Sequence, residues 1–181
     1  MSPSALRRRV LLSGTMLVTA AVGYGRRAYG ACAPTVAPNY QCSGANVTTQ
    51  TINANNASVS TIAGFSVYAL AGNAIEITGD GALSYTDTNS SPLTAAAGIA
   101  LYVRSGGAYA ATPGSVTINT NGTLSGYSGI VASNSGAGAI TITANGNVTG
   151  TTYYGILAGN SGTGALTITA NGNVTGTTYG I

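Results

Sequence analysis

The sequence contains no histidine and no tryptophan, all of its basic residues are arginine, and charged residues make up only 5% of its 181 positions. Without histidine, these residues cannot form a Ser-His-Asp catalytic triad. Two cysteines without histidine also make a poor metal site. A hydrophobic content of 44% argues against charge-driven disorder. The composition therefore predicts a folded chain that is not an enzyme and that carries no catalytic, cofactor or metal site.

The few charges are distributed unevenly, and this distribution excludes nucleic acid as a partner. The rest of the chain beyond position 27 carries one arginine, Arg104, against the carboxylates of Glu76, Asp80 and Asp87. A segment with one cation cannot contact a series of phosphates. The other five basic residues all lie within the first 27 positions: Arg7, Arg8, Arg9, Arg26 and Arg27.

The N-terminal 30 residues have the three parts of a secretory signal peptide. Residues 1–9 are basic, residues 10–25 are apolar, and small residues at Ala28 and Gly30 suit a cut after Gly30. The apolar run is shorter than the ~20 residues of a spanning helix, which disfavours a membrane anchor. We therefore expect export with removal of residues 1–30. Arg8-Arg9 also fits a twin-arginine signal loosely, so the export route stays open.

The two cysteines of the chain, Cys32 and Cys42, follow directly after the predicted cut. An exported chain passes through an oxidising compartment, where two nearby thiols pair. Pro34 and Pro38 lie between them and prevent a regular helix. We therefore expect a disulfide-closed cap loop over residues 31–45, followed by a repeat region over residues 46–181.

The strongest signal is an internal repeat. Residues 139–153 (AITITANGNVTGTTY) and 165–179 (ALTITANGNVTGTTY) differ at one position, at an offset of 26. We identify degenerate copies in residues 115–126 (SVTINTNGTLSG) and 74–84 (AIEITGDGALS). Self-similarity at such a period indicates a solenoid, a propeller or another array. Each unit closes on a Gly-Ile pair: Gly98-Ile99, Gly129-Ile130, Gly155-Ile156 and Gly180-Ile181.

Within one unit the pattern predicts three short strands and three corners. Ile140 and Ile142 alternate with threonine, Asn145-Gly146 forms a turn, and Val148 points inward from a second strand. Asn-Gly is also a hairpin signal, so an array of antiparallel hairpins is the main alternative fold. The short segments after the turns favour coils. We predict an all-β, right-handed parallel β-helix with coils of about 24–26 residues.

Stacked coils should place equivalent residues in columns. Asn121, Asn145 and Asn171 are expected to form a ladder at one corner, and Asp80 is aligned with them as a turn residue. Four interior aliphatic columns are predicted: Ile75, Val116, Ile140 and Leu166; Ile77, Ile118, Ile142 and Ile168; Leu83, Leu124, Val148 and Val174; Ile99, Ile130, Ile156 and Ile181.

A leader, a two-cysteine segment (ACAPTVAPNYQCSG) and coils with TITANGNV motifs resemble the N-terminal passenger region of type V secretion autotransporters, especially those of α-proteobacteria. The resemblance covers nearly the whole chain. It implies that an outer-membrane β-barrel of the same full-length chain carries the passenger to the cell surface, where such passengers are often adhesins. Because the last repeat stops at Ile181, we expect the sequence to be a fragment without that barrel.

The candidate binding surface for a glycan or protein ligand is the set of tyrosines before the Gly-Ile pairs: Tyr127, Tyr153, Tyr154 and Tyr179. Because these tyrosines recur with the repeat, packing between coils is the alternative that the sequence favours. We predict a secreted or surface-displayed bacterial passenger with a structural or adhesive role. One alternative is the scaffold of an extracellular β-helical carbohydrate-active enzyme, which needs clustered carboxylates. Another is a periplasmic or surface-layer structural protein.

Overall fold

The computed structural model describes residues 30–106 and 114–181. Apart from Gly30, the predicted signal peptide lies outside the described residues. Within the described ranges the chain forms strands and no helix, and these strands wind into a β-solenoid of about 5 turns. The predicted all-β, parallel β-helical fold is therefore confirmed.

The described ranges contain eighteen short strands. In chain order they are β1 (Cys32–Val36), β2 (Asn39–Cys42), β3 (Ala45–Asn46), β4 (Gln50–Asn53), β5 (Ser58–Thr61), β6 (Ser66–Ala69), β7 (Ile75–Gly79), β8 (Ala82–Asp87) and β9 (Leu93–Ala95). They continue with β10 (Ile99–Ser105), β11 (Ser115–Thr120), β12 (Leu124–Gly126), β13 (Ser128–Asn134), β14 (Ile140–Ala144), β15 (Val148–Gly150), β16 (Ile156–Asn160), β17 (Leu166–Ala170) and β18 (Val174–Gly176).

Three sheets run along the solenoid. The first has the order β1-β2-β5-β8-β11-β14-β17, the second β3-β6-β9-β12-β15-β18, and the third β4-β7-β10-β13-β16. Every complete coil gives one strand to each sheet, so the predicted three strands and three corners are confirmed. All coil-to-coil pairs are parallel, which excludes the alternative array of hairpins.

The interior is filled by aliphatic columns, as predicted for the later coils, except that Leu166 is 47% exposed on the last strand of the first sheet, where no further coil covers it among the described residues. Ile118 lies between Tyr85 and Ile142 in the first sheet, and all three are buried. Leu124 and Val148 are equivalent and buried in the second sheet. Burial of these side chains against one another is the main stabilising term, at about 25 cal/mol per Å² of apolar surface.

The earliest predicted unit was aligned incorrectly. Leu83 pairs with Val116, not with Leu124, and so belongs to the first sheet. Ile75 and Ile77 belong to the third sheet, where Ile75 pairs with Leu101. The reason is that an alternating Ile-x-Ile strand fits any of the three sheets, so its pattern does not identify its sheet.

Three single placements also differ from the prediction. Ile99 pairs with Ser128 and not with Ile130. Ile181 lies beyond the last strand and is 63% exposed. Asp80 lies at the corner between the third and first sheets, whereas Asn121 lies at the corner between the first and second. Asp80 is therefore not the equivalent of the corner asparagines.

The predicted asparagine ladder is present. The Asn145 side chain donates to Oδ1 of Asn121 at 2.7 Å and accepts from the Asn171 side chain at 2.6 Å. A second ladder, not predicted, joins Asn134 to Asn160 at another corner, where buried Asn134 donates to the carbonyl oxygen of Gly138. Both ladders tie a corner of one coil to the same corner of the next.

The predicted Cys32–Cys42 disulfide is present. The segment around it is a hairpin and not an irregular loop, because β1 pairs antiparallel with β2 in a register that places the two cysteines opposite each other. β2 then pairs parallel with β5 and is the first strand of the stack. The Cys32 N–H also donates to the Gln50 side chain at 3.0 Å. β1 thus covers the edge that β2 would otherwise leave open.

The interior also holds one carboxylate, which the sequence did not predict as buried. Asp87 is fully buried at the end of β8, where the five-residue corner 88–92 leaves backbone donors to be satisfied. Oδ1 accepts from the Thr61 hydroxyl at 2.7 Å and from the Asn89 N–H. Oδ2 accepts from the N–H groups of Ser91 and Gly122 at 3.0 and 2.9 Å, and more weakly from that of Asn121.

These donors hold Asp87 ionised in the core. Burial by itself raises the pKa of this carboxyl, but the hydrogen bonds from Thr61, Ser91 and Asn89 outweigh burial, so the pKa lies below its ordinary value of 3.8. The carboxylate in turn acts on its neighbour. Burial first, and the charge of Asp87 second, raise the pKa of the Tyr85 hydroxyl far above its usual range.

We predict that Asp87→Asn lowers the free energy of unfolding by about 3 kcal/mol. The amide N–H₂ of asparagine, in place of either carboxylate oxygen of Asp87, would face N–H or hydroxyl donors and could not accept hydrogen bonds from them. Urea denaturation of the 181-residue chain at neutral pH measures this loss. Glu76→Gln is the control, since Glu76 is half-buried on the outer face and an amide oxygen can still accept there. Equal stability of the Asp87→Asn variant and wild type would contradict the assigned role.

The Asp87→Asn variant also tests how the stability of the fold depends on pH. Because the pKa of Asp87 is lower in the folded than in the unfolded chain, its stabilisation is present above pH 3.8 and is lost as the pH falls below that value. Denaturation series at falling pH should therefore bring wild type and Asp87→Asn together. A gap that stays constant through the acid range would show that the carboxylate is not the cause.

Candidate ligand-binding surfaces

The four predicted tyrosines lie together at the corner between the second and third sheets. Tyr127 follows β12, Tyr153 and Tyr154 follow β15, and Tyr179 follows β18. The chain turns tightly here because the Gly-Ile pairs bring neighbouring coils close. A Cβ at Gly155 would overlap the Val174 side chain of the next coil. The glycine thus lets the corner close while the tyrosines point outward.

The four rings form one continuous row, the tyrosine ladder. Tyr127 and Tyr153 stack with ring centroids 5.0 Å apart, and Tyr154 and Tyr179 stack at 6.0 Å with an interplanar angle of 9°. Tyr153 and Tyr154 are tilted by 51° at 5.5 Å, which joins the two stacks. These distances are those of favourable aromatic pairs. The predicted alternative of packing between coils is therefore part of what the tyrosines do.

The tyrosine ladder nevertheless remains accessible. Tyr127 is 42% exposed, Tyr153 40% and Tyr179 61%, whereas Tyr154 is half-buried. Desolvation first and the neighbouring Tyr153 second raise the pKa of the Tyr127 hydroxyl. Because the ring faces contact one another, a ligand would meet mainly ring edges and hydroxyl groups, which donate and accept hydrogen bonds.

A second candidate surface, which the sequence did not predict, is a cleft of about 420 Å³ on the outer face of the third sheet. We call it the polar cleft. Its floor comes from side chains that alternate outward from β4, β7 and β10 and lie in register across three coils. Glu76 pairs with Tyr102, and Thr78 lies between Asn53 and Arg104. Asp80 and Asn55 also line the cleft.

The polar cleft collects almost all the charge of the described residues. These residues contain one arginine and three carboxylates, and of the four only Asp87 lies elsewhere, in the core. Glu76 is oriented by Asn73, whose amide donates to Oε2 at 3.1 Å while its own oxygen accepts from the Ile99 N–H at 3.0 Å. Glu76 lies on the outer face of β7 between the buried Ile75 and Ile77, and the register between coils brings it into one cleft with Arg104.

Comparison with protein-family models, curated proteins and solved structures found no match to this chain. The resemblance to autotransporter passengers therefore stays a prediction.

In the part of the chain that the structure describes, no helix has the length and apolar character needed to cross a membrane.

We predict that Tyr153→Ala lowers the free energy of unfolding by about 1–2 kcal/mol beyond the loss of buried area, because Tyr153 contacts the rings of both Tyr127 and Tyr154. Absorbance titration should also show the pKa of Tyr127 falling toward its ordinary value. Tyr68→Ala is the matched control, since Tyr68 is 54% exposed and contacts no other ring among the described residues. Equal destabilisation by the two variants would argue against stacking.

Proposed function

We propose that this chain is an exported bacterial passenger domain with a structural and adhesive role at the cell surface. The observation that carries this proposal is the exposed tyrosine ladder on a disulfide-closed β-solenoid. A solenoid offers a long regular surface whose backbone groups are paired from coil to coil. A row of tyrosines along it presents hydroxyl groups and apolar edges at little conformational cost, which suits contact with glycans or proteins.

Export is supported by the disulfide as well as by the leader. Disulfides form and persist in oxidising compartments and are rare in the cytosol. Cys32 and Cys42 pair within the first coil, so oxidation fixes the end of the solenoid that emerges first from synthesis. By resemblance to autotransporters, the proposed partner in translocation is an outer-membrane domain of the full-length protein.

The alternative of an extracellular carbohydrate-active scaffold is favoured by a different observation, the polar cleft. Hydrolases of this class use a pair of carboxylates, and Glu76 and Asp80 both line the cleft with Arg104. Release of reducing ends from a polysaccharide by the chain would favour this alternative over the passenger.

We expect export to be visible as cleavage of the leader. The chain expressed with its own N terminus in a bacterial host should be recovered outside the cytoplasm as a form that begins at Ala31, because small residues at Ala28 and Gly30 suit signal peptidase. Mass spectrometry of the oxidised product measures the new N terminus and the Cys32–Cys42 link together.

Gly30→Leu is the control for this experiment, since a bulky residue at the cut should block cleavage without changing the apolar segment. Recovery of the intact, reduced chain from the cytoplasm would contradict the proposal of export.

Adhesion should depend on the tyrosine hydroxyl groups. Beads coated with the oxidised chain are expected to attach to cultured epithelial cells, and the combined Tyr→Phe variant at positions 127, 153, 154 and 179 should attach several-fold less. Phenylalanine keeps the stacked rings and removes the exposed donors. Tyr68→Phe, a change at an exposed tyrosine outside the ladder, should leave attachment unchanged.

Retained circular dichroism in the combined variant would show that the solenoid itself is intact. If that variant attaches as well as wild type, the tyrosine ladder is not the adhesive surface.

A further inference from the structure

The polar cleft concentrates charge on a molecule that is otherwise almost uncharged. Arg104 is exposed, and its guanidinium carries five N–H groups that can donate to a ligand. Glu76 stands on β7 although glutamate is depleted in strands. Exposed charges of opposite sign add little to stability when they lie close together. The stability of the fold therefore does not explain why Glu76 and Arg104 lie in the same cleft.

The carboxylate of Glu76 is held in place before any ligand arrives. Asn73 bridges the Ile99 N–H of the next coil and Oε2 of Glu76, so the orientation of Glu76 is coupled to the backbone of the stack. Such preorganisation lowers the conformational cost of binding. β7 is held on both sides, because it pairs with β4 and with β10 in the third sheet.

The chemistry of the polar cleft selects one class of ligand. Glu76 accepts hydrogen bonds, Arg104 donates them, and Asn53 can do both, which matches the paired donor and acceptor character of hydroxyl groups. Half-buried Tyr102 supplies an apolar surface beside them. One arginine among two carboxylates gives a net charge of −1, which repels polyanions such as acidic polysaccharides.

The size and direction of the cleft agree with this class. A volume of about 420 Å³ falls within the usual range of small-ligand sites. Asn53, Thr78 and Arg104 stand on three successive strands, so the lining runs across the coils and parallel to the solenoid axis. A chain of sugar units could therefore enter the cleft and continue along the sheet.

We infer that the polar cleft binds a neutral saccharide, with Glu76 and Arg104 as its principal hydrogen-bonding groups and Asn73 as a positioning residue. This site is separate from the tyrosine ladder, since it lies on the third sheet across β4, β7 and β10, whereas the ladder lies at the corner after β12, β15 and β18.

Isothermal titration of the oxidised chain with neutral hexasaccharides of glucose, mannose, galactose and xylose tests this inference. At least one of them should bind with a Kd below about 1 mM, as expected for a small preformed site. Glu76→Gln and Arg104→Met should each weaken that binding about tenfold or more, because each removes a charged hydrogen-bonding group. Asn73→Ala should weaken saccharide binding less than the changes at Glu76 and Arg104. Asn73→Asp should not restore binding to the wild-type level, because the new carboxylate would lie beside that of Glu76.

Thr117→Ala, on the outer face of the first sheet, is the matched control and should bind like wild type. The inference is overturned if none of the neutral hexasaccharides binds, if the cleft variants bind as well as wild type, or if hexagalacturonate binds more tightly than the neutral sugars. The combined Tyr→Phe variant of the ladder should keep saccharide binding. Loss of adhesion with intact saccharide binding, or the reverse, therefore separates this inference from the proposed adhesive function.

Discussion

The structure depends on the parallel backbone pairing of each coil with the next. One coil of three short strands cannot bury its aliphatic side chains and leaves its N–H and C=O groups without partners. Stacking satisfies both needs together. It also forces each residue onto its equivalent one coil away, as Ile118, Ile142 and Ile168 show. Whatever the sequence repeats therefore becomes a column, inside the solenoid or on its surface.

Inside, this constraint favours aliphatic residues and makes a polar exception costly unless it is fully satisfied. Asp87 is such an exception. The longer corner after β8 leaves backbone N–H groups that a regular coil would pair, and the carboxylate accepts from them and from Thr61 of the preceding coil and Gly122 of the next. A single ionised group thus joins three coils at this corner.

Outside, the same register has two different consequences. Where the sequence repeats, like residues stack, and the asparagine ladder through Asn145 and the rings of Tyr127 and Tyr153 stabilise the corners. Where the sequence departs from the repeat, unlike residues meet, and Glu76 comes to lie in one cleft with Arg104. Regular positions maintain the solenoid, and irregular positions bring together the groups on which the proposed saccharide site depends.

The sequence by itself determined the period, the three strands of a coil, the asparagine ladder and the Cys32–Cys42 disulfide, because each follows from local alternation, near-identical copies or two neighbouring thiols. Only the tertiary structure decided that Ile75 belongs to the third sheet, that Leu83 lies beside Val116, and that the polar cleft exists. A period of two is the same in all three sheets. When copies diverge and corner lengths differ, only the hydrogen-bonded register between coils assigns a strand to its sheet.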